Sequence, residues 1–138
     1  MIFYYSIMDT AHKIYVSAFN EDVLSLIQEL KTLFPSDRRF KRYQIQFDGL
    51  CQINRRAPLL HFLNYALPFT DQIKNKDETF FMDYTIRPKT PEEHKIIQEL
   101  FQLKDLWKTI PKESQQKIWK IVNDLLINAC TAAAVMSK

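Results

Sequence analysis

The 138-residue chain has a single glycine, Gly49. Sheets, tight hairpins and phosphate-cradling loops all use residues at positive φ, and glycine is the residue that adopts it freely. With one glycine there is no GxxxxGK[ST], no GxGxxG and no GxSxG, so nucleotide-binding loops and nucleophile elbows of those kinds are excluded. Helices joined by turns of Pro, Asn and Asp need few glycines, and the expected class is therefore all-α.

Cysteine is nearly as scarce. Cys51 and Cys130 are the two present, far apart and without a CxxC. That pattern predicts buried thiols in a reduced, intracellular setting. No uninterrupted apolar run reaches the roughly 18 residues of a membrane span, so no span is expected. Residues 1–7 are apolar but too short for a signal peptide and lack its basic start. Residues 1–8 read as a loosely attached leader, with Met8 as an alternative start, ahead of one helical domain covering 1–138. Net charge is only +3, too little to imply nucleic acid by itself. Its distribution is uneven: −3 over residues 1–30, +5 over 31–60 and +1 over 61–138.

What is abundant is apolar and aromatic surface, at 46% and 13% of residues. This is enough to fill a core without staples, and its spacing is helical. Ile14, Tyr15, Ala18, Phe19, Val23, Leu26, Ile27, Leu30, Leu33 and Phe34 form one stripe at intervals of three and four. Asp9 or Thr10 can cap it. Asn20-Glu21-Asp22 offers a second start, so one long helix and two shorter ones are both open. Phe34-Pro35-Ser36-Asp37 ends the segment, because proline disfavours helical geometry in the residue before it.

Ser36 or Asp37 caps a second helix to about Ile53, with Phe40, Tyr43, Phe47, Leu50 and Cys51 as its stripe. Gly49 within it suggests close helix packing. The rival reading makes Tyr43–Phe47 a short strand before an Asp48-Gly49 turn. Pro58 suits the first turn of a third helix, Ala57–Leu67, and Pro68 ends or kinks it. Thr70 can cap a short fourth helix from Asp71 to about Lys76. Asn75-Lys76-Asp77-Glu78 reads as a turn or new cap, and the apolar run Thr79–Tyr84 follows. Arg87-Pro88-Lys89 reads as extended linker.

Thr90-Pro91-Glu92-Glu93 combines a cap, a first-turn proline and a glutamate three residues after the threonine. It opens a helix to about Thr109 carrying Ile96, Ile97, Leu100, Phe101, Leu103, Leu106 and Trp107. Pro111 starts the last helix, with Ile118, Trp119, Val122, Leu125, Leu126, Ala129, Cys130 and Ala133 on one side. The chain is thus expected to be a single-domain bundle of five to six helices. A C-terminal hairpin is its main folding surface, and Trp107 faces Trp119 across Pro111.

Catalytic and metal-binding patterns are weak. Asp71, Asp77, Glu78 and Asp83 lack the glycine and ligand alternation of a calcium loop. His12, His61 and His94 are scattered, with no HExxH. Neither cysteine has a local base or oxyanion donor. No catalytic residue, metal ligand or cofactor is expected, and the chain does not read as an enzyme.

The basic run is the candidate site. Arg38, Arg39, Lys41 and Arg42 open the second helix with Phe40 and Tyr43 between them, and Arg55 and Arg56 stand near its end. Cations at a helix start oppose its dipole, so helix stability does not explain them. They can face solvent, dock an acidic protein surface, including the acidic first helix of a second copy, or track phosphates with a steep salt dependence.

Asn75-Lys76-Asp77-Glu78, Phe80-Phe81, Leu103-Lys104, Leu106-Trp107, Lys117-Ile118-Trp119-Lys120 and Leu125 together resemble small helical proteins of nucleocytoplasmic large DNA viruses, over about residues 60–130. The shared positions are mostly packing residues, and that family has no established activity, so no functional residue is carried over. The resemblance implies a protein of the host cytoplasm or the virion. The expected function is a protein–protein interaction module, a virion component or a regulator of host or viral partners, self-association included. The alternative is a nucleic-acid-associated accessory protein using the patch at 38–56.

Overall fold

The computed structural model describes residues 2–83, 91 and 102–136. Those residues are all-α, with no strand among them. Helix α1 runs Ile2–Leu33, α2 Arg38–Ile53 and α3 Ala57–Ala66. A 3-10 turn at Leu67–Phe69 leads into α4, Thr70–Lys74, and then α5, Glu78–Asp83. Residues 102–107 are helical, and α6 is Lys112–Met136.

α1 is one helix. It begins ahead of Asp9 and Thr10 and runs through Asn20-Glu21-Asp22. The groups that could have capped new starts have other partners. Asp9 pairs with Lys13 one turn on, at 3.1 Å. The Asn20 side-chain amide donates to the Arg55 carbonyl at 3.0 Å. Asp22 accepts from the Asn128 amide at 2.9 Å. A side chain already bonded elsewhere does not compete for the helix backbone.

The turn after α1 follows the expected chemistry. Asp37 is the N-cap of α2, and its carboxylate accepts from the Arg39 backbone N–H at 3.0 Å. Tyr43–Phe47 is helical, not a strand. Gly49 sits inside α2, where a Cβ would find no atom within 4 Å. It therefore marks no close packing. Pro58 occupies the first turn of α3.

Thr70 is the first residue of α4 instead of its cap, because its hydroxyl turns back to donate to the Leu67 carbonyl at 2.8 Å. Lys76 closes this region at φ 52°, a left-handed geometry usual just past a helix end. Asp77 then caps α5 by accepting from the Phe80 N–H at 3.0 Å.

The core lies chiefly between α1 and α6, with α3 against both. Val16, Phe19, Leu59, Leu63, Leu125, Ala129 and Ala132 are buried together, and Phe19 meets Phe62 edge-on at 5.3 Å. Ala66, Ile73 and Leu126 form a second buried group beneath α4. Small residues at 129 and 132 are fully buried, which lets α1 approach α6 closely.

The stripe expected for α1 needs one correction of phase. Val16 is buried and Ile14 is 60% exposed. The inward face includes two polar residues, His12 and Asn20, which an apolar pattern passes over. The His12 ring Nδ1 lies 2.9 Å from the Ala132 carbonyl. Lys117 of α6 pairs with Glu29 of α1 at 2.8 Å.

The principal helix pairing thus joins the two ends of the chain, α1 and α6. Of the expected first hairpin arm, Pro91 and 102–109 are described. The Thr90 cap, Ile96, Ile97, Leu100 and Phe101 lie outside the described residues, as does the Arg87-Pro88-Lys89 linker. Trp107 and Trp119 do meet edge-on across Pro111, at 6.0 Å.

By length and composition one described helix could cross a membrane: Lys112–Val135 has mean hydropathy 1.3 over its most apolar stretch. Leu125, Leu126, Ala129 and Ala132 account for part of that hydropathy as core, while Lys117 and Lys120 are exposed on the same helix.

Candidate interaction surface

The six cations of the 38–56 segment fall into two groups at opposite ends of α2. Sixteen helical residues span roughly 24 Å. At the first end, Arg38, Arg39 and Arg42 line a shallow, open depression of about 710 Å³ with Leu33, Phe34, Pro35, Ser36 and Asp37. Phe40 points inward and is buried, stacked on Phe34 at 6.0 Å. That anchor fixes which way the neighbouring arginines face.

Arg39 is engaged by its own loop. Its guanidinium meets both Asp37 oxygens, the closest at 2.6 Å, and its other arm donates to the Gln102 side chain at 3.1 Å. The hydrogen bond from the Arg39 side chain is the main reason the Asp37 carboxyl stays below the usual carboxylate range. Arg42 lies over the Tyr43 ring, 5.6 Å from its centroid. Arg38 and Lys41 are exposed.

At the far end, Arg55 belongs to the architecture. Its carbonyl accepts from Asn20 and its guanidinium donates to the Ser17 hydroxyl at 3.3 Å. It therefore fastens the α2–α3 turn to α1. Arg56 is exposed, with its backbone N–H on the Asn54 side chain at 3.0 Å. The structure brings Arg38, Arg39 and Arg42 together and sets Arg55 and Arg56 apart from them.

A second surface was not read from the sequence as a site. Leu60, Tyr65 and Leu67 are 49%, 74% and 53% exposed on α3 and its following turn. Pro58, Leu59, Leu63 and Ala66 of the same helix are buried. Leu60 and Tyr65, five residues apart, thus lie on opposite flanks of a helix whose inner side is already satisfied, and Leu60 shares its flank with Leu67, seven residues on. On α1, Ile7 and Ile14 are 66% and 60% exposed, seven residues apart and so on one side of that helix. The apolar pattern hid Ile14 and Leu60, because both read as members of the core stripe of their helix.

Chemical groups elsewhere are dispersed. Among the described residues no group of three or more His, Cys, Asp or Glu is placed to hold a metal ion. Burial, then the nearby Asp48 carboxylate, pushes the Cys51 thiol up, while Arg55 acts the other way; a raised thiol pKa means little thiolate at neutral pH. Asp22 is also raised, chiefly by burial, although the Asn128 hydrogen bond opposes that shift.

No family model, curated protein or solved structure matches the chain.

Proposed function

We propose that the chain is a non-enzymatic protein–protein interaction module. The observation that carries this reading is the set of large apolar side chains on outward helix faces, above all Leu60 and Tyr65 on α3. Their inner-face neighbours already fill the core, so folding does not account for the outer ones. Contiguous exposed apolar patches mark protein contact surfaces, and Leu60 lies seven residues from the exposed Leu67 on one flank. The resemblance over residues 60–130 suggests the setting: a virion component, or a regulator meeting host or viral partners inside the infected cell.

The test compares the full chain with Leu60→Glu/Tyr65→Glu in affinity capture. Both positions are exposed, so the variant keeps its helical circular dichroism. Loss of a captured protein with the variant supports the reading. A chain that captures nothing and does not self-associate overturns it.

The second reading, an accessory protein on nucleic acid, draws on the arginine-lined depression at the start of α2. A shift assay at low salt decides it. Retention of DNA or RNA that weakens with salt and is reduced by Arg38→Ala/Lys41→Ala supports it, because phosphate contacts release counterions. No retention removes it.

A further inference from the structure

α1 carries a surface suited to pairing with a second copy of itself. Around its circumference, His12, Val16, Phe19 and Ile27 face the core. Asp22 and Glu29 face α6 through Asn128 and Lys117. Ser17 and Asn20 meet the α2–α3 turn through Arg55. The remaining side holds Ile7, Thr10, Ile14, Ala18 and Glu21 at helical spacing.

That side has relief. Thr10, Lys13, Ile14, Ser17, Ala18 and Glu21 line a shallow groove of about 420 Å³. These residues form two rows four apart, 10–14–18 and 13–17–21, with the groove between them. Such rows are the ridges that interlock when two helices cross at about −50°. Ile14 is the knob, 60% exposed. The groove beside Ala18, one turn along, is the hollow, bordered by Ser17, whose hydroxyl accepts from the Arg55 guanidinium.

Knob and hollow on one face are self-complementary under a two-fold axis, which is what a closed dimer requires. Lys13 and Glu21 lie on either side of Ser17 in one row, both exposed, and Lys13 also pairs with Asp9 one turn back at 3.1 Å. Rotation about a two-fold axis near Ser17, with the helices antiparallel, sets each Lys13 across from the other copy's Glu21.

We infer that α1 pairs with α1 of a second copy through this face, Ile14 seated beside Ser17 and Ala18 and Lys13 opposite Glu21. This names the partner for one of the apolar faces of the proposed interaction module, and so rests on that reading. A crossing of two helices is a small interface, below the standard size of stable complexes. The pairing is therefore a reversible equilibrium sensitive to concentration.

The test is sedimentation equilibrium of the full chain from roughly 1 to 300 µM, the range in which a small interface dissociates. The mass rises with concentration from 16.5 kDa toward twice that value. Ile14→Glu weakens dimerisation by at least about tenfold, as loss of a seated anchor does. Lys13→Glu and Glu21→Lys each weaken it, and the two together in one chain restore it, because the reversed pair attracts again.

A chain monomeric at every concentration overturns the pairing. So does a dimer indifferent to Ile14→Glu, or a double reversal no better than the single ones. If the monomeric chain still captures a protein that Leu60→Glu/Tyr65→Glu releases, the self-pairing fails alone and the interaction reading stands.

Discussion

The Nδ1 atom of His12 lies 2.9 Å from the carbonyl oxygen of Ala132, 120 positions further along the chain. A carbonyl only accepts, so Nδ1 carries the proton and donates. One hydrogen bond in the core thereby ties the two ends of the sequence together, and both of its residues are buried.

His12→Ala should cost about 2–4 kcal/mol in urea unfolding, from a core cavity and a lost hydrogen bond together; the Ala132 carbonyl keeps its partner within α6. His12→Asn sets an amide N–H near the same point and should recover part of that loss. Equal losses for the two variants would show that packing alone holds the contact.

Gly49→Ala should stabilise the chain by about 1 kcal/mol. The position is inside α2, and a Cβ there meets nothing within 4 Å. Only the helix-propensity difference between glycine and alanine then remains. Thermal or urea unfolding reads it, and a loss of stability would contradict the open surroundings of Gly49.

Asp37→Ala should lower stability near neutral pH by about 1 kcal/mol, the usual worth of an N-cap. The Arg39 side chain holds the native carboxyl below its ordinary value. Its stabilising effect is full above the unfolded pKa of about 3.9 and is lost as pH falls through the lower folded value. The gap between wild type and variant should therefore narrow below about pH 4. A gap independent of pH would assign the effect to chain conformation and not to the carboxylate.

Asp22→Asn should show the opposite sign. Burial raises the native carboxyl, and Asp124 and Glu21 add to that shift. A raised acid leaves the folded state favoured at low pH and loses stability as pH rises through the folded pKa. The amide keeps an acceptor for Asn128 without the charge. The variant should match wild type below about pH 3.9 and equal or exceed it at pH 7. A variant less stable at pH 7 would mean that the ionised Asp22–Asn128 bond outweighs the burial.

What the sequence made legible was local. Pro35 with Asp37, and Pro58, each mark a boundary through chemistry within three residues, and each boundary is where the structure has it; Asn75–Glu78 reads equally as a turn or a new cap, and the Asp77–Phe80 bond decides for the cap. Thr70 misled, and Asn20 left one helix or two open, because their side chains bond elsewhere. Asn20 reaches Arg55, 35 positions away, and no window along the chain contains both. The same distance hid the role of Arg55: its charge is plain in sequence, but its attachment to Ser17 and Asn20 exists only in the fold. Ile14 and Val16 were exchanged in the α1 stripe because His12 and Asn20 share the buried face, and a pattern of apolar residues alone sets its phase without them.

The central claim is that outward apolar faces of this helical domain bind protein. Affinity capture with the wild-type chain, Ile14→Glu and Leu60→Glu/Tyr65→Glu, each checked for unchanged helical circular dichroism, tests it most directly. The account predicts a stable partner for the wild type, either a second copy or another protein, that is lost when the matching face is made acidic. Wild-type chain that retains nothing, or retains the same proteins after both faces are changed, would contradict it.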